Sequence, residues 1–203
     1  NYVLQASDEE RLGIYRRLIR EEFAQKKSLI ILLPTIAEAI KFYGELQKGV
    51  EAFTFLLHQR MPKNAILDAC QKIIKETHSI ILVATPQFIG LPRADWGTIV
   101  LERESSRNYK RDSRPFLDYR VFTKFYGAEI GTKIIYADAM VRTETYHKLQ
   151  NGELNEYGRA SFRPLFGART QIFLAERQTG RKEPGLTKET LEFIKSIRER
   201  GMR

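Results

Sequence analysis

The chain has 203 residues, 42% of them hydrophobic, and 34 Lys and Arg against 25 Asp and Glu give a formal net charge of +9. That length buries a full core, most simply in one domain with a C-terminal appendage, and no apolar run approaches the ~18 residues that a membrane-spanning helix requires. Basic balance favours an acidic polymer as partner, nucleic acid ahead of membrane, the bland alternative being a solubilising charge.

In chain order, Leu12, Tyr15, Leu18, Ile19 and Phe23 recur at helical spacing and predict a helix over 7–26. Ser28 to Leu33 reads as a buried strand stopped by Pro34. A helix over 36–46, a strand over 50–57, a helix over 65–76 and strands over 79–83 and 97–101 follow. Next come a polar, arginine-rich loop (105–114), a helix from about Phe116 to Tyr126 and a strand over 132–136. Apolar strands separated by helices of this length imply parallel βαβ units with both sheet faces covered. That is a doubly wound α/β domain, a mostly parallel sheet with helices on both faces. Beyond 150 the pattern loosens. A Gly- and Arg-rich loop (151–168), a last strand (170–174), a linker (178–185) and a final helix (187–200) are expected there.

Several constellations are silent. Cys70 lies in the apolar helical pattern Ala65–Ile74 and reads as a buried spectator thiol, so neither a disulfide framework nor a cysteine zinc site can form, which fits a reducing cytoplasm. His58, His78 and His147 are far apart, and no metal is expected. No signal peptide opens the chain, and Asn1 in place of Met points to an excised piece. Trp96 reads as core. Gly127 to Lys133 echoes a glycine loop, but its Lys leads into a strand, so a helix C-cap at Gly127 or Gly131 is the better account.

The order of the pieces resembles the first motor lobe of the replication restart helicases, the primosomal protein N′ family of superfamily 2. Leu32 to Ile40 sits like that family's motif Ia, and Ile81 to Gln87 is similar to its "I-V-I-G-T-R-S". His58 to Pro62 falls where the family has "H-S-G-L-S". Val100 to Arg111 resembles "V-D-E-E-H-D-S-S-Y-K-Q", with Tyr109 and Lys110 the best-kept pair. Arg114-Pro-Phe116 resembles the aromatic "P-R-Y" that follows, Thr143 to Gly152 the segment after "S-A-T-P", and 185–201 the linker helix into the second lobe. The resemblance implies a RecA-like, P-loop NTPase-type fold over 1–150. It also implies an extension over 151–203 leading toward an absent second lobe, and a parent that adds an N-terminal DNA-binding region and zinc cysteines. Family activity is that of an ATP-dependent 3′-5′ DNA helicase.

The departures fall on the chemistry. A phosphate loop needs glycines, so that backbone N–H groups converge on the phosphates, followed by Lys and Ser or Thr. Here the slot holds Ser7, Asp8, Glu9, Glu10, Arg11 and Leu12. Ser7 with Glu10 is a capping box that occupies the helix N-terminus, and Asp8, Glu9 and Glu10 place carboxylates where a triphosphate would sit. The "D-E-E-H" box, which should hold Mg²⁺ and orient water, becomes Glu102, Arg103, Glu104 and Ser105. "S-A-T-P" becomes Asp138 to Val141. Three losses imply a degenerate lobe with no catalytic residue, and no cofactor is expected. A working helicase using ATP and Mg²⁺ through an unusual loop, or a protein-interaction scaffold, are the alternatives.

The loop Ser105–Arg120 is the expected DNA surface, carried by Arg107, Tyr109, Lys110, Arg111, Arg114 and Phe116. Cations meet phosphates while aromatics stack on unpaired bases. The competing account is that Phe116 and Tyr119 begin a helix and face the core, with the arginines merely solvated. A second basic stretch is Arg159 to Arg163 with Arg169, where phosphate contact and solvated loop stand level. Single-stranded or forked DNA is the expected partner, replication proteins are possible further partners, and a membrane is not expected.

Overall fold

A computed structural model describes residues 1–158 and 188–199. The chain divides into two units, Asn1–Phe162 and Arg163–Arg203. Seven strands form one sheet in the first unit: β1 (Tyr2–Gln5), β2 (Ser28–Leu32), β3 (Thr54–Leu57), β4 (Ile81–Ala84), β5 (Trp96–Glu102), β6 (Lys133–Asp138) and β7 (Asn155–Glu156). Their order across the sheet is β3-β4-β2-β5-β6-β1-β7, and every pairing is parallel. This is the doubly wound arrangement expected from the sequence.

The apolar strands alternate their side chains between two helical layers. Leu29, Ile31, Ile81, Val83, Val100 and Ile135 pack with Tyr15, Leu18 and Ile19 of α1 (Asp8–Ala24) and Ala39, Phe42 and Leu46 of α2 (Ile36–Leu46). Their neighbours Ile30, Leu32, Leu82, Ile99, Leu101 and Ile134 face the other way. There they meet Ile73 of α3 (Lys63–Lys75), Tyr119 of α4 (Tyr119–Glu129) and Leu149 of α5 (Thr143–Gln150). After β3 the connections reverse direction across the sheet and the helices change face, as right-handed crossovers require.

Boundaries shift for local reasons. The strand expected from residue 50 begins at Thr54, because Glu51–Phe53 form a 3₁₀ turn. The helix expected from Phe116 begins at Tyr119, because the Asp118 carboxylate accepts the Arg120 N–H and caps it. Gly131, at φ 66°, closes α4: the Thr132 N–H reaches the Gly127 carbonyl at 2.8 Å, so the cap stands where the decoy glycine loop was rejected. Trp96 is buried and donates to the Leu91 carbonyl at 3.1 Å. Cys70 is free and half-buried on α3. Three elements carried no prediction: β1, α5 and β7. β7 pairs with β1, which draws residues assigned to the extension into the sheet.

Helix α6 (Lys188–Glu199) lies in the second unit, close to the span predicted for the final helix. The expected strand over 170–174, the linker and the basic stretch Arg159, Arg163 and Arg169 lie outside the described residues. Among the described residues no helix is long and apolar enough to cross a membrane.

Candidate functional site

The segments similar to phosphate loop, "S-A-T-P" and acidic box end the adjacent strands β1, β6 and β5, so they converge on one edge of the sheet. Ligands of open α/β sheets bind at the carboxyl ends of strands, and that is this edge.

Ser7 leaves β1 in extended conformation and caps α1. Its Oγ accepts the Glu10 N–H at 3.4 Å, while the Ser7 N–H donates to Glu10 Oε2 at 3.1 Å. One turn into the helix, Arg11 points inward and is completely buried, as is Glu102 at the end of β5. Arg11 Nε donates to both Glu102 oxygens at 3.0 and 3.1 Å, and Nη2 donates to Oε1 at 2.6 Å. Nη2 also donates to Asp8 Oδ1 at 2.7 Å, and Nη1 to the Ala6 carbonyl. The Tyr15 hydroxyl donates to Glu102 Oε2 from below. The guanidinium is held on three sides, by Ala6 just past β1, Asp8 of α1 and Glu102 of β5.

Electrostatics follow from this enclosure. Burial opposes the Arg11 charge, but the hydrogen bonds and charge of Glu102, with Tyr15 and Asp8, outweigh it and raise the group above its ordinary value. Burial also dominates at Glu102 and holds that carboxyl above the usual range, although Arg11 and Tyr15 pull the other way. Asp8 moves oppositely. Burial would raise it, yet hydrogen bonding from Arg103 and the charges of Arg11 and Arg103 bring it below the usual carboxylate range.

Arg103 sits above this pair with φ 51°, a left-handed conformation that costs a side-chain-bearing residue about 1–2 kcal/mol. The turn aims its guanidinium, 45% exposed, at Asp8 Oδ2 (2.9 Å) and Glu38 Oε1 (2.8 Å). Glu38 belongs to the first turn of α2, where its N–H is capped by Thr35. One arginine therefore ties the first turns of two helices together. The acid after it, Glu104, is buried and occupied too: Arg142 Nε donates at 2.7 Å, the Arg142 N–H at 3.0 Å and Thr145 Oγ1 at 2.6 Å. Asp138 accepts the main-chain N–H groups of Ser105 and Ala139.

Arg11 lies beneath the helix start, held by Glu102, Asp8 and the Ala6 carbonyl, and each carboxylate oxygen of Glu102 and Glu104 accepts a hydrogen bond from within the protein. Asp8 and Glu10 place carboxylates at the helix N-terminus, where an anion would dock. Among the described residues no group of three His, Cys, Asp or Glu side chains is placed to hold a metal ion.

The loop after β5 is built differently. Its root is pinned by Tyr109, fully buried, whose hydroxyl lies 2.8 Å from the Leu32 carbonyl and 2.7 Å from that of Glu102. Arg120, also buried, donates to the Glu104 and Ser106 carbonyls and pairs with Asp118 while lying over the Tyr109 ring. The Arg111 N–H donates to the Leu117 carbonyl, closing the tip. Tyr109 is thus a structural peg, and base stacking by this ring, expected from the sequence, does not fit its burial. Tyr119 is likewise buried. Arg107, Lys110, Arg111 and Arg114 are exposed and make no ion pair among the described residues, and Phe116 is 73% exposed. Sequence reasoning missed Tyr15 and Arg142, which complete the two buried acid sites. Local spacing carries no signal for partners 87 and 38 residues away.

No family model matches the chain. The replication restart protein PriA of Helicobacter pylori strain J99 is 23% identical over 141 residues, which covers 70% of this chain and 23% of that protein. PriA of strain 26695 is 22% identical over the same length. The chain therefore spans about a quarter of the length of the curated relatives it matches. Among solved structures, a C-terminal domain of S. cerevisiae Dbp5 superposes with a TM-score of 0.53 at 15% identity, over 76% of this chain and 86% of that one. Domain 2 of the DEAD-box helicase Mss116p, bound to an RNA duplex, gives 0.52 at 11% identity, over 79% and 64%. By fold the chain is a RecA-like α/β domain, and by sequence it resembles the PriA replication restart proteins.

Proposed function

We propose that this chain is a nucleic-acid-binding RecA-like lobe of a replication restart helicase homologue, the first of its motor lobes, and that its nucleotide slot takes neither ATP nor magnesium. The observation that carries the reading is Arg11, buried and held by Glu102, Asp8 and Ala6 where a motor would hold an open phosphate cradle. Opening the slot would strand Glu102 in the core, and removing one partner of a buried pair costs about 3–5 kcal/mol. Nucleotide binding energy would first have to meet that cost.

The likeness to PriA and the fold shared with a domain that binds an RNA duplex support nucleic acid as partner. Four exposed cations without an ion pair among the described residues, in the same loop as one exposed phenylalanine, support the loop 107–116 as the contact, with single-stranded or forked DNA as ligand. Two measurements test the two halves. Calorimetric titration with Mg-ATP is expected to give no binding heat, and micromolar affinity would overturn the sealed slot. Fluorescence anisotropy with labelled single-stranded and forked DNA is expected to show affinity that rises as salt falls. Negligible affinity at low salt would leave a protein-interaction scaffold.

A further inference from the structure

Helices α4 and α5 flank an open cleft over β6, away from the sealed slot. Part of its polar lining is already engaged. Arg142 and Thr145 donate to Glu104, and Arg120 is spent on Asp118 and the loop carbonyls. Lys124 of α4 and Lys148 of α5 line opposite walls and make no ion pair among the described residues. Tyr136 of β6 lines the cleft as well, and among the described residues its hydroxyl has no hydrogen-bond partner. Burial pushes that phenol up to about 12, so it remains a donor at neutral pH. Glu153 is the one unpaired acid among the lining residues. Val121 lines the α4 wall, and Phe125, four residues on along the same strip, is 69% exposed.

We propose that this cleft seats a phosphodiester of single-stranded nucleic acid between Lys124 and Lys148, with the Tyr136 hydroxyl donating to it and the adjoining base laid on Phe125. Cations on two walls with an aromatic ring beside them form the combination that tracks a backbone and stacks unpaired bases. A paired base is not free to lie on a lone ring, which selects single strands over duplex. The cleft is continuous with the loop, because Arg120 lines it and also holds the Ser106 carbonyl at the loop root. A strand leaving Phe116 therefore has a second set of contacts to follow. This inference rests on the reading of the loop as a nucleic-acid contact.

The test uses the whole chain, a labelled oligothymidylate, an abasic oligodeoxynucleotide of the same length and an oligoglutamate peptide, over a salt series. Lys124→Ala with Lys148→Ala is expected to flatten the log-affinity against log-salt slope by about 1.4, two phosphate contacts at roughly 0.7 each on a single strand. Phe125→Ala is expected to weaken oligothymidylate roughly five- to hundredfold and leave the abasic strand unchanged. Glu153→Gln is expected to tighten both. Circular dichroism and melting controls should match the parent, since Lys124 and Phe125 are exposed. If Arg111→Ala with Arg114→Ala weakens binding while the cleft variants bind with parental affinity and slope, the cleft fails and the loop reading stands. If the parent does not bind at low salt, the loop reading fails and the cleft falls with it. Should Phe125→Ala weaken the peptide and both strands equally, the cleft is a protein-docking surface and the proposal is overturned.

Discussion

Two arginine-bearing regions follow one another along the same sheet edge and use the same side chain for opposite ends. In the slot, Arg11 and Arg103 are consumed: every charge meets a counter-charge, and Arg11 has no exposure at all. In the loop, Arg107, Arg111 and Arg114 have no ion-pair partners among the described residues and are exposed. The positive excess of the chain is therefore not spread evenly. What surrounds a cation decides whether it holds the protein together or is free for a ligand. A guanidinium within bonding distance of buried carboxylates is lost to binding, and one on a pinned but bare tip is ready for phosphate.

The sharpest way to break this comparison is to remove a partner from the sealed side. Glu102→Leu leaves Arg11 buried opposite an apolar group and is expected to lower unfolding free energy by about 3–5 kcal/mol in urea titrations. Arg11→Met combined with Glu102→Leu is expected to be more stable than either single change, because the cost belongs to the orphaned charge and not to the lost pair. A single-variant loss below about 1 kcal/mol would mean that Arg11 does not seal the slot.

On the open side the expected effect is on binding alone. Phe116→Ala should cost about 1–3 kcal/mol of single-strand affinity by anisotropy. Arg111→Ala with Arg114→Ala should flatten the salt slope by about 1.4. All three changes should leave unfolding free energy within about 0.5 kcal/mol of the parent, since these side chains are exposed and unpaired. A large stability loss at Phe116 would return that ring to the core and erase the contrast.

Acid provides a gentler probe. Burial would raise Asp118, but hydrogen bonds from Arg120 and the charges of Arg120 and Arg142 hold it below the usual carboxylate range. A depressed folded value gives stability that is complete above the unfolded value of about 3.9 and is lost as pH falls through the folded one. Asp118→Asn should therefore flatten the acid limb of stability below about pH 4, and an unchanged limb would refute the pairing. Smallest of all is Arg103→Gly. It gives up two half-exposed ion pairs and relieves the positive φ, so its net effect on melting should stay within about 1 kcal/mol.

How much of this could be read in advance depended on sequence distance. The capping box needs only Ser7 and Glu10, three residues apart, and was visible as a pattern. The sheet layers were visible because runs such as Ser28–Leu32 are apolar on both sides. Strands β1 and β7 were not, since four and two residues carry too little periodicity. Arg11 and Glu102 lie 91 residues apart, and nothing local distinguishes a buried arginine from a solvated one. Tyr109 misled for the same reason. An aromatic among cations looks exposed until the carbonyls of Leu32 and Glu102 are placed beside its hydroxyl.

That hydroxyl has a mechanical consequence. Glu102 grips Arg11 through its carboxylate and meets Tyr109 through its main-chain carbonyl, so one residue is shared by lock and antenna. A pull on the tip is carried along the peg into the strand end that bolts the slot. Load on the loop and slow amide exchange around residue 102 should therefore rise and fall together, a linkage that outlasts any loss of motor chemistry.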